Sequence, residues 1–97
     1  MKEEEIKNKL IRCNYFPTQP KVSLVNILEY VQMLKDGSPA PAIKVDENLI
    51  IDGHHRFIAG VIFGKLPEEI PWTKAFSTKA LNWKDIIFDN VLWKRPK

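Results

Sequence analysis

The residues Asp52-Gly53-His54-His55-Arg56 set a carboxylate, a glycine and three potential cations in a row. They follow the apolar run Leu49-Ile50-Ile51 and precede Phe57-Ile58-Ala59-Gly60, so a β-type stretch breaks at Asp-Gly and restarts with helical spacing. A helix start exposes unpaired N–H groups and carries partial positive charge, which favours acidic side chains there and basic ones at the far end. His54, His55 and Arg56 have the opposite sign. A phosphate or similar anion docked on the helix N-terminus removes the conflict, because N–H, imidazole and guanidinium groups then share its charge. Gly53, lacking Cβ, permits both a sharp turn and close approach by a ligand. Gly53, His54, His55 and Arg56 are therefore the candidate phosphate-binding residues. Asp52 is a helix cap, an orienter of an imidazole or a general base. The competing reading is an ordinary Asp-Gly turn with a solvated loop end.

Three functions use this arrangement. In phosphoryl transfer or nucleotide hydrolysis, Arg56 and the helix N-terminus stabilise charge on the phosphoryl oxygens while a carboxylate accepts the nucleophile's proton. Asp52 is the first candidate for that carboxylate and Glu29 the second, since Glu29 lies about 140° around a helix from Leu24 and faces either a cleft or solvent. In a nuclease, His54 or His55 activates water or protonates the leaving oxygen, a task for a group titrating near neutral pH. In an interaction module, the same residues hold a nucleotide or acidic partner without turnover, and the Trp-rich C-terminal part supplies the contact surface. A protein metal site is not expected: adjacent helical residues such as His54 and His55 point about 100° apart, and neither CxxC nor HExxH occurs.

The elements that must position these residues follow from periodicity. Residues 2–11 pair Glu3 with Lys7 and Glu5 with Lys9 at helical spacing. Residues 14–21, with Pro17 and Pro20, read as an extended connector. Over residues 22–35, Leu24, Ile27, Leu28, Val31 and Leu34 form one helical face that stops at Gly37. Residues 36–41 form a turn, and 42–45 and 48–51 two short strands around Asp46-Glu47. A helix over 54–63 offers Phe57, Ile58, Val61 and Ile62 to the core and ends at Gly64. Residues 67–70 read as a connector, 71–76 as a strand and 81–88 as a helix; 89–93 either continue that helix or form an edge strand. Trp72, Trp83 and Trp93 read as core and edge aromatics, since no basic run interleaves them.

Ninety-seven residues at 44% hydrophobic content suit one α+β domain over 1–97, with a small mixed sheet packed by helices. A net charge of +3 is mild for a nucleic-acid binder, and the dense basic cluster is the tail Lys94-Arg95-Pro96-Lys97, which reads as a solvated terminus. The single cysteine, Cys13, forms no internal disulfide and favours a reducing compartment. With neither a signal-like start nor a run of roughly 18 apolar residues, the expectation is a cytoplasmic protein without membrane insertion. A secreted effector lacking a cleavable signal stays open, as does the oligomeric state.

The segment Pro41-Ala42-Ile43-Lys44-Val45, then Asn48 through the Asp-Gly-His-His-Arg box and Ala59, resembles the ParB/sulfiredoxin-like superfamily. Pro17-Thr18-Gln19 and the helix from Val22 extend the likeness to roughly residues 15–76, judged by motif order. The resemblance implies that fold, with a phosphate site at a strand-turn-helix junction formed by Gly53, His54, His55 and Arg56. It implies a nucleotide (ATP, ADP or CTP) as ligand, and whether Mg2+ accompanies it stays open. Members include a cytidine-triphosphate-binding partition domain, an ATP-using reductase of oxidised peroxiredoxin, kinases of free serine, and small nuclease or toxin modules that would make nucleic acid a partner. The reductase chemistry does not transfer, because His54 stands where that branch has its reactive cysteine. The partition box reads Gly-Glu-Arg-Arg, and those proteins carry further domains. The serine kinases share the box but are considerably longer.

Overall fold

The structure, a computed structural model, describes residues 2–93. Helix α1 (Glu3–Arg12) has Glu3, Glu4 and Glu5 in its first turn and Lys9 and Arg12 in its last, matching the helix dipole at both ends. It buries Ile6 and Leu10, one helical step apart. An extended connector follows. Phe16 bonds β-fashion to the later segment 48–50, its N–H donating to Asn48 O at 2.8 Å and its carbonyl accepting from Ile50 N–H at 3.0 Å.

Strand β1 (Lys21–Ser23) takes the last connector residue and the two positions expected to open the second helix, so α2 runs Leu24–Lys35. The reason is the cap: Ser23 is extended, and its Oγ accepts the Asn26 N–H at 3.1 Å. Ile27 and Val31 are buried, whereas Leu28, expected on the same face, is 45% exposed.

Strands β2 (Ile43–Asp46) and β3 (Leu49–Asp52) form an antiparallel hairpin whose turn holds Glu47 at φ 54°. Helix α3 (His54–Phe63) runs between two left-handed glycines, Gly53 at φ 95° and Gly64 at φ 97°. Strand β4 (Glu69–Pro71) lies parallel to β2, so the strand expected at 71–76 begins earlier, inside the expected connector. Pairing decides this: Ile43 N–H donates to Glu68 O and Trp72 N–H to Val45 O, both at 2.9 Å. Beyond it the Lys74 N–H turns to Asp46 Oδ2 at 2.8 Å.

The helix expected over 81–88 is instead a 3-10 turn (Trp83–Asp85) followed by β5 (Ile87–Asp89), parallel to β1. Ile86 and Phe88 are buried while Ile87 is 60% exposed, the period of a strand. The sheets are thus β1-β5 and β3-β2-β4, and the class is α+β.

One core cluster joins the helices, both sheets and the C-terminal segment. At its centre Phe57 lies 5.0 Å from the Tyr15 ring and stacks on Trp83 at 5.9 Å, and the Trp83 indole N–H donates to Tyr15 O at 2.8 Å. Among the described residues no helix is long and apolar enough to cross a membrane.

Candidate anion site at the start of α3

The apolar alternation of β3 ends at Asp52, and the Phe57 N–H closes the first turn of α3 on Gly53 O at 2.9 Å. Gly53 is required twice. Its positive φ suits glycine, and a Cβ there would stand 2.5 Å from Ile43 Cγ2 and 2.7 Å from Arg56 Nη2. The Arg56 guanidinium therefore lies across Gly53. The N-cap of α3 is Gly53, which has no side chain to bond the N–H groups of the first turn.

Asp52, a cap on one sequence reading, instead pairs with Arg56, Oδ2 to Nη2 at 3.7 Å, its own side chain 63% exposed. The Arg56 side chain is mostly buried, and its Nε is buried without a hydrogen-bond partner among the described residues.

The two histidines serve as acceptors for backbone donors. His54 is buried, and its Nε2 accepts the Thr18 N–H at 3.0 Å. Nε2 as acceptor puts the proton of the neutral ring on Nδ1, which is buried without a hydrogen-bond partner among the described residues. Burial, reinforced by the nearby His55 and opposed by Asp52, pushes the His54 pKa down to about 4. His54 is thus neutral near pH 7, which corrects the expectation of a cation or an acid titrating near neutrality at this position. His55 Nε2 accepts the Ser23 N–H at 2.8 Å, and its ring meets the Trp93 ring edge-on at 5.1 Å.

A cleft of about 350 Å³ opens here, lined by Gln19, Tyr30, Asp52, Gly53, His54, His55 and Arg56. Arg56 also borders a second cavity of about 490 Å³, whose apolar wall is Leu34, Pro39, Ala40, Phe63, Leu66 and Pro67. The structure thus brings Asp52, Gly53, His54, His55 and Arg56 together. It does not bring Glu29, which is exposed on α2 outside the lining residues, beside the lining residue Tyr30. Sequence reasoning missed Tyr30, Ser23 and the part of Trp93. Thr18 and Gln19 stood only in the upstream stretch of the resemblance.

Trp83 is core, Trp72 lies under Lys44 Nζ at 4.1 Å, and Trp93 contacts His55, so the tryptophans form no common platform. The basic tail at 94–97 lies outside the described residues. Among the described residues no group of three or more His, Cys, Asp or Glu could hold a metal ion. Compared with protein-family models, curated proteins and solved structures, the chain matches none.

Proposed function

We propose that this chain binds a phosphate ester, a nucleotide in the favoured reading, with a phosphate at the start of α3 and the nucleoside in the neighbouring apolar cavity. The observation behind it is a left-handed glycine at the start of a helix whose first turn holds an arginine shared by a polar cleft and an apolar cavity. Helix N–H groups and a guanidinium suit phosphate oxygens, and an apolar cavity of this size suits a planar base. The strand-turn-helix setting of the Asp-Gly-His-His-Arg box supports membership of the ParB/sulfiredoxin-like superfamily as part of the same proposal.

Within this reading Arg56 neutralises the phosphate, and the neutral His54 fixes the loop at Thr18. Asp52 is the carboxylate at the cleft able to take a proton from a nucleophile or to meet a nucleotide-borne Mg2+. A neutral, backbone-bonded His54 disfavours the nuclease reading that needs it as general acid. The test is calorimetry with ATP, CTP, pyrophosphate and sulfate, with and without Mg2+. Arg56→Ala is expected to weaken the best ligand by about 1.5–3 kcal/mol, the range for hydrogen bonds to charged groups. Lys9→Ala, on the exposed face of α1, should leave it unchanged. Equal small losses from both would mean diffuse electrostatics and no site. Asp52→Asn separates enzyme from binder: lost turnover with affinity kept within about tenfold marks a proton acceptor.

A further inference from the structure

Beyond β5 the chain crosses the N-terminal end of α2, where Asn26 is 3% exposed. The Asn26 carboxamide pairs with both backbone groups of one residue: Trp93 N–H donates to Oδ1 at 3.0 Å, and Nδ2 donates to Trp93 O at 3.2 Å. Two bonds from a planar amide fix the height and rotation of that residue. Next to them Ser23 Oγ donates to Val91 O at 2.6 Å. The Trp93 indole N–H reaches Asp89 Oδ2 at 3.4 Å, and Asp89 is itself held by Lys21 at 3.4 Å. The indole is thereby presented edge-on to His55, whose Nε2 takes the backbone N–H of the same Ser23.

The contacts close a ring from Trp93 through Asn26 and Ser23 to His55 and back. We propose that residues 91–93 are a strap that positions His55 in the cleft, with Asn26 and Trp93 as positioning residues; only the ligand-affinity arm of this inference rests on the function proposed above. The strap is tied by a few hydrogen bonds, so its release leaves the His55 ring without its aromatic wall. His54, held separately by Thr18, is unaffected.

The experiment compares wild type, Asn26→Ala, Trp93→Ala and Trp93→Phe by histidine side-chain 15N spectra without ligand and by pyrophosphate titration calorimetry. Asn26→Ala and Trp93→Ala should move the His55 ring resonances, leave those of His54 in place, and weaken pyrophosphate about threefold to tenfold, the scale of one or two hydrogen bonds. Trp93→Phe, which keeps an aromatic edge and the backbone tether, should stay near wild type in both. Unmoved His55 resonances in the two alanine variants would overturn the strap, and moved resonances with unchanged pyrophosphate affinity would overturn its part in ligand binding. Should Asn26→Ala fail to fold, Trp93→Ala decides alone. A wild type that binds no pyrophosphate would remove the proposed function, while the ligand-free His55 resonances still decide whether the strap positions the ring.

Discussion

At position 54 an imidazole is kept neutral inside the fold, and this has a measurable price in acid. Its pKa of about 4 lies below the ordinary 6.5, so between these values the unfolded chain binds the extra proton and the folded one does not. Stability should therefore fall as pH drops from 6.5 towards 4, by on the order of 3 kcal/mol over the whole window. Denaturant midpoints between pH 7 and 5, above the main carboxylate range, should show this slope in wild type and a flatter one in His54→Gln. Equal slopes would contradict a neutral His54. Gly53 and Gly64 form a second residue-scale test. Both have left-handed φ, but a Cβ at 53 collides with Ile43 and Arg56, whereas one at 64 meets nothing within 4 Å. Gly64→Ala should cost about 1–2 kcal/mol of strain and leave the proposed phosphate binding intact. Gly53→Ala should cost more and, by displacing the guanidinium, abolish most of the binding; calorimetry on both variants measures the difference.

Helix α3 is the element that orders the site, since its first turn forms the cleft while its buried face fills the core. Gly60, midway along it, would ordinarily be improved by alanine, by up to about 1 kcal/mol. Here a Cβ would stand 2.8 Å from Lys65 O and 2.9 Å from Pro67 Cδ, because the chain leaving α3 folds back across this glycine. Gly60→Ala is expected to reverse the usual sign and destabilise by about 1–3 kcal/mol. Urea denaturation checks it, and a stabilised variant would mean that the return of residues 65–67 is wrong. At the sheet edge, Pro71 removes a donor from the outward side of β4, so the exposed edge offers a poor template for pairing.

Across the whole molecule the core depends on residues far apart in the chain, with Trp83, Ile86 and Phe88 packed among side chains from α1, α2 and α3. Trp83→Ala should therefore destabilise by about 3–5 kcal/mol, the usual range for an aromatic removed from a core. Trp72→Ala, at a side chain 49% exposed, should change stability by under about 1 kcal/mol despite its contact with Lys44. Thermal melts of the two variants distinguish them, and comparable losses would argue against the C-terminal segment as part of the core.

By itself the sequence determined the elements whose signals are local. The charge order of α1, the hairpin around Glu47, the Asp52-Gly53 break and the glycine end of α3 each act within a few residues, so each was legible before any packing was known. The helix face of α2 was legible too, apart from its start, where Ser23 serves both as cap and as strand. Tertiary pairing decided the rest. Residues 81–88 carry apolar side chains compatible with a helix, and only the parallel partner β1, more than sixty positions upstream, makes 87–89 a strand. The site divides the same way. Gly53 and Arg56 carried the proposed anion cradle through local chemistry, whereas the protonation of His54 and the contacts around His55 follow from which distant backbone groups the fold delivers to them.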